Sequence, residues 1–221
     1  MEFKKRVIPV LAAMIVAVNA ITGTASAHPY DYWNGTYIGQ DGVDILLRIS
    51  TSAQTDLLNW TDVYSAGFSW NNISKNVNIR MAYSIQGMPP LPDEMLVVGK
   101  DIDRYYAITI PYGSDGYPLM KDGGYDNDAN WAYSEITMNT DSGIFNRASD
   151  PTAAARKTFV HEVGHALKLC HPKQGTNIDR HTINGLPKAI MNQGYPGEQN
   201  GATSGTITAH DKSCLFTKWG Y

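Results

Sequence analysis

His161-Glu162-Val163-Gly164-His165-Ala166-Leu167-Lys168-Leu169-Cys170-His171 is the stretch from which the rest of the chain is read. On an α-helix, residues four apart share a face, so His161 and His165 can aim two imidazoles at one point. Two imidazoles at that spacing suit a divalent transition metal such as Zn²⁺, and Glu162 beside them can reach a water without being a ligand. His171 lies ten residues beyond His161. A straight helix of 3.6 residues per turn would carry it roughly 80° off the ligand face. It can be the third ligand only if the helix stops first and the chain turns back. Pro172 agrees with such a stop, because proline disfavours helical backbone in the residue before it. Three of the six histidines fall in this one window, together with the glutamate.

The pattern HExxHxxxxxH resembles the metzincin clan of zinc endopeptidases, whose motif is HExxHxxGxxH followed by a Met-turn. The resemblance implies metal ligands His161, His165 and His171, and Glu162 as general base. It implies peptide-bond hydrolysis by a zinc-bound water, with Zn²⁺ as the catalytic cofactor and a protein or peptide as substrate. The clan has glycine where this chain has Lys168. A lysine in the left-handed conformation that such a turn needs would be strained by roughly 1–2 kcal/mol, or else the turn is built differently. Lys188-Ala189-Ile190-Met191-Asn192 resembles the Met-turn, and Met191 is the residue expected beneath the imidazoles. The place two residues on, where several clan members carry tyrosine, holds Gln193.

Working outward, Asp150 is a good N-cap and Pro151 a good first helical residue, so a helix is expected over about 151–169, packing through Ala154, Ala155, Phe159, Val160, Val163, Ala166 and Leu167. Before it, 44–50 reads as a strand, 54–71 as an amphipathic helix and 76–84 as a strand alternating Val77, Ile79, Met81 and Tyr83. Further strands are expected at 95–99, 105–111 and 131–139. The glycine- and aspartate-rich segment 113–130 reads as loop. Its Asp115, Asp122, Asp126 and Asp128 suggest a possible Ca²⁺ site or, more simply, a solvated acidic loop. A final helix is expected over 208–218, capped near Thr208. The fold class that results is α+β. With the resemblance it becomes a metzincin-like, matrixin-like domain: a twisted mixed β-sheet with a backing helix, a central active-site helix and a C-terminal helix under the site.

The N-terminus reads as an export signal. Lys4, Lys5 and Arg6 precede a short apolar run from Val7 to Val18 and the small-residue site Ala25-Ser26-Ala27. The expected organisation is a signal peptide over 1–27, a lead-in segment over 28–43 and a catalytic domain over 44–221. The product would be secreted and extracellular, monomeric and without a stable membrane anchor. Removing the leader takes away three basic residues and Glu2, which leaves 15 basic against 20 acidic residues. No basic run follows, so nucleic acid is not an expected partner. Two cysteines in an exported chain, Cys170 and Cys214, suggest a disulfide worth roughly 4 kcal/mol. Two buried thiols are the other reading. The rival functional class is a secreted zinc-binding or adhesion module without peptidase activity. Loss of the base would mark it, and Glu162 is present.

Overall fold

The computed structural model describes residues 32–38, 43–53, 60–82, 89–146, 148–171, 189–191 and 205–220. The expected leader, Pro172, Gln193 and the segments 54–59 and 83–88 lie outside them. The architecture is α+β: a mostly parallel five-stranded sheet with three helices.

The first strand, β1 (Val43–Ile49), turns Val43, Ile45 and Leu47 inward and Asp44 outward. Such alternation suits a sheet whose two faces differ in burial. The helix α1 (Trp60–Gly67), extended by a 3₁₀ turn over Phe68–Trp70, carries the chain across to β2 (Val77–Met81), which runs parallel to β1. Burial of Val63, Ala66 and Trp70 places this element in the core. Val77 and Ile79 point inward as expected, but Met81 is exposed, because β2 is a sheet edge and its last residue projects past the core. Next comes β3 (Glu94–Lys100), parallel to β1 on its other side, and then β4 (Ala107–Tyr112).

A small hairpin, β5 (Met120–Lys121) with β6 (Gly124–Tyr125), interrupts the segment expected to be loop throughout. Asp122 and Gly123, both at positive φ, make its turn, the chemistry a two-residue hairpin demands. The last strand, β7 (Tyr133–Asn139), lies between β3 and β4, so the order is β2-β1-β3-β7-β4 with only β4 antiparallel.

Against this sheet lies α2 (Pro151–Ala166), touching β4, β7 and α1. Asp150 caps it by accepting from Ala153 N at 3.0 Å, with Pro151 in the first turn. Phe159, Val160 and Val163 are fully buried. The final helix, α3 (Ala209–Trp219), opens with a reciprocal cap between Thr208 and Asp211 and buries Cys214, Leu215 and Trp219.

Candidate metal centre

Everything at the site depends on how α2 ends. Leu169 N donates to Gly164 O at 2.9 Å, and Lys168 N to His165 O at 2.8 Å. These two bonds make the Schellman stop, whose pivot residue is left-handed. The pivot is Lys168, at φ 69°. The turn expected of glycine is thus made by lysine, which carries the strain. Its side chain offsets that strain. The buried Nζ donates to Ala129 O at 2.8 Å and Asn127 O at 3.2 Å, and sits 3.5 Å from the centroid of the Trp131 ring. Burial pushes the Lys168 ammonium down to about 6, with Lys218 adding repulsion and Asp128 and Asp126 opposing.

A helix leaves its last carbonyls without helical partners. Those of Gly164 and His165 are met by the turn itself, and the three that follow are met from distant parts of the chain. Ala166 O accepts from Tyr37 Oη at 2.9 Å, Leu167 O from Trp219 Nε1 at 2.8 Å, and Lys168 O from Trp33 N at 2.8 Å. The lead-in residues 32–38 and the last helix therefore both hold the turn that delivers His171.

The turn brings the three expected ligands together. His171 Nε2 is 3.0 Å from His161 Nε2 and 3.0 Å from His165 Nε2. One ligand atom from each ring lies within 4.8 Å of the others. His161 Nδ1 is 2.7 Å from Ile190 O, and His165 Nδ1 is 2.7 Å from Leu169 O. A carbonyl only accepts, so both rings carry their proton on Nδ1 and turn an Nε2 lone pair toward His171. Two lone pairs thus converge on the place where His171 Nε2 stands, and a shared cation would satisfy all three nitrogens. Ligands on a tetrahedral ion at about 2.05 Å are separated by about 3.3 Å, close to what is found here. Burial holds His161 down at about 4 and lowers His165 and His171 as well, with the neighbouring imidazoles adding to the effect at the first two. All three are neutral near pH 7, the form that ligates. The group can hold a metal ion.

Glu162 is buried on the next helix position. Burial raises its carboxyl to about 7, against the lowering effect of Thr109. It lines a cleft of about 520 Å³ with the three histidines, Trp33 and Thr109. Strand β4, which among the described residues pairs along its length only with β7, borders the same cleft.

Met191 is buried, and its Sδ packs so close to α2 that a Cβ on Gly164 would meet it at 2.3 Å. Residues 189–191 are tied down by Asp211. Its carboxylate accepts from Ile190 N at 2.9 Å and Met191 N at 3.3 Å, and from Thr208 N and Oγ1 at 2.8 and 2.6 Å. Asp211, Trp33 and Thr109 were not singled out in the sequence. Trp33 stacks on His165, 5.1 Å between centroids and 24° between planes. An aspartate three residues after a threonine signals a cap, but nothing local says that its carboxylate also grips a turn twenty residues earlier.

Cys170 and Cys214 are not joined by a disulfide. Cys214 Sγ faces His210 Nε2 of its own helix at 3.5 Å, one turn back. Among the described residues, no three acidic, His or Cys side chains of the acidic segment converge on one point. Asp128 accepts from Asn34 N at 2.9 Å and Asp126 from Ala129 N at 3.2 Å, and both carboxylates act on the Lys168 Nζ.

No family model matches the chain, and no curated protein matches it.

Proposed function

We propose that this chain is a secreted, monomeric zinc endopeptidase of the metzincin, matrixin-like type, with residues 1–27 as its export signal. One observation carries the reading: three converging imidazole nitrogens stand beside a buried carboxylate in an open cleft. The all-nitrogen donor set suits Zn²⁺, with His161, His165 and His171 holding it. When bound, the ion supplies Lewis acidity, making water nucleophilic near neutral pH and polarising the scissile carbonyl.

The chain's own residues do the rest. Glu162, with a carboxyl near 7, takes the proton of the attacking water and returns it to the leaving amine. His161 and His165 are kept in the ligating tautomer by Ile190 O and Leu169 O. An extended peptide can pair with β4 along Ala107–Thr109, which line the cleft and whose outer edge has no strand partner among the described residues.

The test is Glu162→Ala. Metal analysis should find one Zn²⁺ per chain in both proteins, and chelator-reversible digestion of casein should vanish in the variant. A variant that keeps near-full activity would exclude the role. A wild-type chain that binds zinc and cleaves nothing would favour the binding-module reading instead.

A further inference from the structure

Thr109 lies on the strand that borders the cleft, opposite Ile136 of β7, and is buried. Its Oγ1 is 2.7 Å from Glu162 Oε2 and 3.0 Å from Glu162 O. We propose that Thr109 is the positioning residue of the general base, fixing the Glu162 carboxylate from the sheet side through its hydroxyl. This rests on the reading of Glu162 as the base.

The argument is geometric. A glutamate side chain has three rotatable bonds, and ordering them costs entropy on every turnover unless a partner holds the carboxylate in place. A β-branched threonine is stiff about its single side-chain torsion, and a strand within a sheet is a rigid mount. The hydroxyl has one proton and two glutamate oxygens within reach. With Glu162 ionised, Oγ1 donates to Oε2. Once Oε2 has taken the water's proton it can donate to Oγ1, whose own proton turns to Glu162 O. The contact therefore survives the proton transfer without movement of either backbone. Valine has the same shape and cannot make either bond, whereas serine can make both.

The experiment compares Thr109→Val and Thr109→Ser in the zinc-loaded mature chain. The expected result for Thr109→Val is unchanged zinc content, KM within about twofold of wild type and a kcat lower by roughly 10- to 100-fold, the range seen when a partner behind a site residue is lost. Thr109→Ser should recover kcat to within about threefold. A second readout uses the metal-free protein. The side-chain carboxyl ¹³C resonance of Glu162, identified as the one lost in Glu162→Gln, should shift in Thr109→Val and stay in Thr109→Ser. Should Thr109→Val fail to fold, Thr109→Ala against Thr109→Ser makes the same comparison, since the two differ by the hydroxyl alone. Equal impairment of the variants with and without the hydroxyl, or an unmoved resonance with wild-type kcat, would overturn the proposal. A wild-type chain that cleaves no peptide sinks the hydrolase reading and this one with it. An active wild type with an unaffected Thr109→Val sinks this one alone.

Discussion

Replacing Asp211 by asparagine should damage the metal centre from the far side of the Ile190–Met191 turn. The carboxylate is wholly buried and takes four hydrogen bonds, three on Oδ2 and one on Oδ1. Asparagine has one acceptor oxygen. If that oxygen replaces Oδ2, its NH₂ faces Met191 N across 3.3 Å, donor against donor. The other orientation opposes three donors and is worse. A buried N–H left without an acceptor costs about 1–3 kcal/mol, and three charge-assisted bonds are weakened as well. Relief from burying a carboxylate, whose proton affinity burial raises here, offsets part of this. The net expectation is a loss of about 2 kcal/mol in the metal-free protein. The larger interest is transmission. Ile190 N is held by Asp211, and Ile190 O orients His161 through Nδ1. A displaced turn loosens that ring, and loss of such a partner typically weakens metal binding by about 10- to 100-fold. Urea denaturation reads the first effect, and competition for Zn²⁺ with a chromophoric chelator at pH 7 reads the second. If Asp211→Asn lost the stability and still bound zinc within twofold of wild type, the turn would not be what orients His161.

Gly164→Ala should cost about 1–3 kcal/mol, because the new methyl would fall 2.3 Å from Met191 Sδ and 3.0 Å from Trp70 Cζ2. In a Met191→Ala background the same change should cost clearly less in urea denaturation, and equal costs would show that Met191 does not pack there. The buried carboxyl makes a pH prediction for the metal-free chain. Glu162 is raised from 4.5 to about 7, so the folded state holds a proton that the unfolded chain gives up. Its contribution is fully present below pH 4.5 and is lost as pH rises through 7. Glu162→Gln should therefore exceed wild type in stability by up to about 3 kcal/mol above pH 7, with the advantage gone by pH 4.5. The histidines work in the opposite sense. His161, held at about 4 against 6.5, removes stability as pH falls through that range. Glu162→Gln, lacking the opposing carboxyl, should then be the more steeply acid-sensitive of the two proteins in urea titrations from pH 7 to 4.

The three converging histidines, the glutamate beside them and the helix bearing them were legible because their signals are local. Spacing of four on a helix, an aspartate–proline start and alternation in strands depend on neighbours in the chain. The pivot was only half legible. The position was marked by the reversal that His171 needs. That a lysine could hold φ 69° there depends on Asn127, Ala129 and Trp131, which the chain order places about forty residues away. The same holds for Trp33 against His165, Thr109 against Glu162 and Asp211 against Ile190. The cysteines show the same limit: their presence in the chain does not say what each thiol meets, and for Cys214 one neighbour is His210 of its own helix. Chemistry encoded in a short window can be read from residues alone. The partners that orient it come from sheet order and chain crossing, and these follow from the packing of the whole core.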